Sequence, residues 1–86
     1  MLGGGARSNE GYVVLFNHRT WIEFRDALGK VFIGAEMLVP PQTAALDPKE
    51  TRVGTTQGPL LQDERRRRYV LERVRRAAAF LRWSLE

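Results

Sequence analysis

No glycine or proline interrupts residues 60–86, where arginine, leucine, glutamate and alanine dominate. Those residue types lose little freedom in a helix, so the composition predicts one long helix over 60–85. At 100° per residue, Val70, Leu71, Val74, Ala77, Ala78, Leu81 and Leu85 fall on one stripe. A helix that is apolar on one side needs something to cover that side. The apolar face of a sheet over residues 11–39 is the expected cover.

That segment reads as strands. Residues 12–16 form a β-branched and aromatic run, bounded by Gly11 and by Asn17-His18, which suit a two-residue hairpin turn. Residues 20–25 alternate apolar and polar side chains, Asp26-Ala27-Leu28-Gly29 has turn chemistry, and residues 31–39 extend until Pro40-Pro41. Thr20 with Glu23 also fits a capping box, and Gly29 a helix stop, so a short helix over 20–28 competes with the strand. Register favours the strand. A turn at Asn17-His18 sets Val13 opposite Ile22 and Leu15 opposite Thr20, while a turn at 26–29 sets Phe24 opposite Val31 and Ile22 opposite Ile33. One face then collects Val13, Leu15, Ile22, Phe24, Val31, Ile33, Ala35 and Met37. The expected fold is α+β, a three-stranded antiparallel meander with one long C-terminal helix packed on one face.

Residues 1–10, with glycine at 3, 4 and 5, read as a flexible lead to a single small domain over 11–86. The four prolines at 40, 41, 48 and 59, together with Gly54 and Gly58, mark residues 40–59 as a connector between sheet and helix. Pro48 after Asp47 fits the start of one helical turn within it.

Charge is distributed unevenly. Residues 60–86 hold eight arginines against four carboxylates, and this +4 is the whole net charge of the chain. A one-sided basic element is the usual mark of an acidic partner, either nucleic acid or an acidic protein surface. Arg65, Arg66, Arg67 and Arg68 lie 100° apart on a helix, so they cannot form one flat patch, and Arg67 points towards the core stripe. A solvated basic helix is the plainest reading of them. A second helical face brings Tyr69, Phe80 and Trp83 among Arg65, Arg73 and Arg76. Arginine with aromatics suits interfaces and single-stranded nucleic acid; a widened core explains the aromatics equally well.

Cysteine is absent and His18 is the only histidine, which excludes disulfides, thiol catalysis and a thiolate metal site. Asp26 and Glu36 read as isolated carboxylates on solvent edges, and no lysine follows the glycines at 3–5 or 54–58 as a phosphate loop requires. No enzyme, cofactor or small-molecule substrate is expected. The apolar run at 12–16 is far short of the roughly 20 residues of a membrane span, and a cytoplasmic setting is expected.

Two functions follow. In the first, the helix binds nucleic acid through Arg65, Arg66, Arg68, Arg73, Arg75 and Arg76, with Tyr69 or Trp83 stacking on a single strand. In the second, the chain is a protein-interaction module, a homo-oligomer or a regulatory subunit. It would use Phe80 and an apolar outer sheet face of Tyr12, Val14, Phe16 and Trp21.

Overall fold

A computed structural model describes residues 5–7, 11–16, 20–38, 43–82 and 84–85. The elements in chain order are β1 (Gly5–Arg7), β2 (Val13–Leu15), β3 (Trp21–Asp26), β4 (Gly29–Leu38), β5 (Thr43–Val53), α1 (Glu64–Phe80) and β6 (Ser84–Leu85). They make one sheet in the order β1-β2-β3-β4-β5-β6, antiparallel except for β6, which runs parallel to β5. The α+β expectation holds, with four antiparallel strands, β2 to β5, in place of three, flanked by two short edge strands.

Residues 20–28 are strand and turn, not helix. The β3–β4 hairpin has the expected register, with Phe24 opposite Val31 and Ile22 opposite Ile33. Its turn is fixed by chemistry visible in the sequence: the Leu28 N–H donates to Asp26 Oδ1 at 3.0 Å, and Gly29 takes φ +124°.

The first hairpin differs. Val13 faces Arg25, Val14 faces Phe24 and Leu15 faces Glu23. Relative to the expected pairing this is an odd-numbered slip, so every side chain of β2 changes face. Tyr12, Val14 and Phe16 lie beneath the helix, 7%, 0% and 0% exposed, which corrects their assignment to the outer face. Val13 and Leu15 turn outward and stay half-buried. The physical reason is area: two aromatics and a valine remove more apolar surface from water than Val13 with Leu15. Asn17 and His18, the turn on which the other register depended, lie outside the described residues.

The expected connector also needs correction, because residues 43–53 of it form β5. Gly34 pairs with Asp47 and Ile33 with Thr51, so Pro48, Lys49 and Glu50 bulge out between adjacent steps of β4. Proline is tolerated there because a bulged residue needs no ladder donor. Thr51 Oγ1 closes the bulge by donating to the Pro48 carbonyl at 2.6 Å. A Cβ on Gly34 would lie 2.7 Å from Glu50 Cβ, so a side chain at that position would displace the bulge.

The helix is shorter than its composition predicts. Asp63 Oδ1 accepts the N–H groups of Arg65 and Arg66 at 3.0 and 3.2 Å and starts α1 at Glu64. Ahead of that cap, the Leu61 N–H is held by the Thr51 carbonyl at 2.7 Å. At the other end Arg82 takes φ 61°, and the chain leaves the helix so that Ser84 and Leu85 pair with Thr43 and Ala44. Leu85 therefore reaches the core from a strand, not from the helical stripe. Val70, Val74, Ala77 and Ala78 pack on Tyr12, Val14, Phe16, Ile22, Phe24, Val31, Ile33, Ala35 and Ala44, with Leu71 and Leu81 half-buried at the margin. The two alanines leave room for the helix to approach the sheet closely. Among the described residues no helix is long and apolar enough to cross a membrane.

Candidate nucleic-acid interface

Packing the Val70–Val74–Ala77–Ala78 stripe inward assigns each arginine of α1 a place. Arg66 falls on the flank of the core, at the seam between α1 and the β3–β4 turn. Its two terminal nitrogens reach both oxygens of Asp26 at 2.7 Å, and the two side chains are only 15% and 10% exposed. This planar, bidentate contact is the geometry arginine forms best. Hydrogen bonding to Arg66 holds the Asp26 carboxyl below the ordinary aspartate value, outweighing the desolvation that opposes it. The same contact holds the guanidinium of Arg66 above its ordinary value. Asp26 was expected on a solvent edge, and nothing in the sequence links it to a residue forty positions away.

Aromatic rings extend that seam. The Arg66 guanidinium carbon lies 5.6 Å from the Phe24 ring centre and 5.5 Å from that of Tyr69. Phe24 stacks on Tyr12 at 5.6 Å and meets Tyr69 edge-on at 6.2 Å. Arg73 caps the Tyr69 ring at 3.5 Å and donates to the Tyr69 carbonyl at 3.3 Å; its buried Nε has no hydrogen-bond partner among the described residues. Tyr69 is therefore occupied by arginine. Arg66 and Arg73, both expected to meet phosphate, anchor the helix and order its ring.

The remaining cations face solvent. Arg76 pairs with Glu72 at 2.8 Å on an exposed, i,i+4 step, and half-buried Arg67 donates to the Leu61 carbonyl at 3.3 Å. Arg67 also reaches Glu64 at 3.6 Å, an i,i+3 step. Arg65, Arg68 and Arg75 are exposed and take part in no ion pair among the described residues. On the helical wheel Arg68 and Arg75 lie within about 20° of each other, as do Arg65 and Arg76, with Glu72 between the two lines. Tyr69 and Phe80 flank the second line, and Phe80 is 80% exposed. Trp83, expected to stack on a base, lies outside the described residues, as does His18.

A cleft of about 590 Å³ opens where this face meets the β3–β4 turn. Ala27 and Leu28 form one wall, Asp63, Arg65 and Tyr69 the other, and the Asp26–Arg66 pair lies between them. Leu28 is 81% exposed, an apolar side chain displayed by a rigid turn; read only as turn chemistry, it was missed as a surface feature.

The outer sheet face is less apolar than expected. With Tyr12, Val14 and Phe16 beneath the helix, it presents half-buried Val13, Leu15 and Trp21 around Glu23 and Phe32, which are 4% and 7% exposed. Glu23 is paired with Arg25. Trp21 stands at the edge of a separate 360 Å³ depression near Gly34, Glu36 and Asp47. Among the described residues no group of histidine, aspartate or glutamate is arranged to hold a metal ion. Comparison with protein-family models, with curated proteins and with solved structures finds no match.

Proposed function

We propose that this chain is a non-enzymatic basic module that binds nucleic acid by its phosphates, through the solvent side of α1. One observation carries the reading. Arg65, Arg68 and Arg75 stand exposed and without ion pairs among the described residues, on a helix whose orientation is locked by Arg66 and Asp26. Three guanidinium groups that no carboxylate holds suit phosphate oxygens, and the ordered helix beneath them leaves only their side chains to be fixed on binding.

The test is salt. Phosphate binding requires log K for a generic oligonucleotide to fall linearly with log salt, with a slope of about −0.7 to −0.9 per phosphate neutralised. Absence of binding at about 150 mM salt rejects the reading.

A second reading, an interface with an acidic protein or another copy of the chain, is favoured by the exposure of Leu28 and Phe80, 81% and 80%. It predicts that Phe80→Ala disrupts association with a protein and that generic oligonucleotides do not bind. For a homo-oligomer the outer sheet face would act through Val13, Leu15 and Trp21, because Tyr12, Val14 and Phe16 lie in the core.

A further inference from the structure

Building on the phosphate-binding reading, we infer that the ligand is single-stranded nucleic acid, with one unstacked base seated in the cleft between the β3–β4 turn and the start of α1. One of the exposed arginines, Arg65, stands in the wall of the cleft, so a strand whose phosphate meets Arg65 has a base within reach of it. The cleft is an open depression of about 590 Å³, so a base would lie against its surface and not be enclosed by it.

The walls match a base more closely than they match a phosphate. Leu28 offers an apolar surface and Arg65 a planar guanidinium, groups against which an unstacked base settles, while Tyr69, its ring capped by Arg73, closes the lining without offering a stacking face. The Leu28 N–H bond to Asp26, and the bond from Arg66 to Asp26, hold the turn backbone, so only the Leu28 side chain has to be ordered. Asp26 and Asp63 in the lining are matched by Arg65 and Arg66, so the cleft itself carries no net charge for a phosphate, and Arg68 and Arg75 outside it supply that attraction.

A duplex fits poorly. Its bases stay stacked and cannot offer a face to Leu28 without unpairing, and Glu72, midway between the two arginine lines, opposes a rigid double backbone. A single strand bends around Glu72.

The experiment measures anisotropy of a labelled oligothymidine and a mixed-sequence duplex with wild-type protein and with Leu28→Ser, at about 50 and 150 mM salt. Leu28 is exposed, so the variant keeps its fold, and an unchanged unfolding midpoint confirms this. The expected result is tighter binding of the single strand, about a tenfold loss in Leu28→Ser and an unchanged salt slope. Duplex bound as tightly as single strand, or Leu28→Ser indistinguishable from wild type, overturns the inference and leaves phosphate binding intact. If neither strand form binds at about 150 mM salt, phosphate binding falls and the inference with it, leaving a protein partner.

Discussion

Arg65 and Arg66 are adjacent in the chain, identical in chemistry and opposite in role. A rotation of about 100° puts Arg66 against Asp26, Phe24 and Tyr69, at the seam of helix and sheet, and leaves Arg65 in solvent. The seam is partly dry and its charges are paired, so removing one member strands the other. The solvent face is wet, and its arginines add or remove almost nothing for the fold. A basic helix is thus two surfaces, and only one of them is available to a partner. Counting arginines overstates the second surface, because Arg66 and Arg73 belong to the first.

The comparison is broken most severely by the core that both surfaces share. Phe16→Ala empties a fully buried site and should cost about 3–5 kcal/mol in denaturant unfolding, whereas Val13→Ala, on the outer side of the same strand, should cost much less. Equal costs would restore the register in which Val13 faces the helix.

Next comes the seam. Arg66→Ala leaves the half-buried Asp26 without its guanidinium and should cost about 1–3 kcal/mol, while Arg65→Ala should stay within about 0.5 kcal/mol of wild type. The same pair makes stability depend on acid. The folded carboxyl of Asp26 titrates below the unfolded one, so its contribution is complete above about pH 4. As pH falls further, towards the folded value, that contribution is lost. Wild type should lose stability below about pH 4 more steeply than Asp26→Asn, whose own loss is already present at neutral pH. Parallel pH profiles would mean that the carboxylate of Asp26 contributes nothing.

These contrasts also mark how far the chain can be read without coordinates. The β3–β4 hairpin is legible because its turn is local: Asp26 and Gly29 carry their geometry with them, and register follows. The β2–β3 register is not. It depends on which face buries more area against a helix fifty residues away, whereas Asn17-His18 has local turn chemistry that points to the other register. β5 was hidden because Pro48 signals a break, and only pairing with β4 turns that break into a bulge. The helix and its core stripe were legible from periodicity, whereas its start at Asp63 and its exit after Phe80 depend on capping and on pairing with β5. At the candidate site, the exposed positions of Arg65, Arg68 and Arg75 follow from the same stripe. The Asp26–Arg66 pair and the display of Leu28 require two distant segments to meet, and no spacing in the chain encodes that meeting.

The smallest effect on stability carries the largest consequence for function. Arg65→Ala/Arg68→Ala/Arg75→Ala should unfold within roughly 1 kcal/mol of wild type, because none of the three touches the core. The direct test is the salt dependence of oligonucleotide binding by this folded variant beside wild type. A decrease of about two to three in the magnitude of the log K against log salt slope is the predicted result, because each arginine removed leaves one phosphate with its counterion. An unchanged slope and affinity would contradict the account, because the arginines left on the solvent side of the helix would then not be the ones that hold the partner.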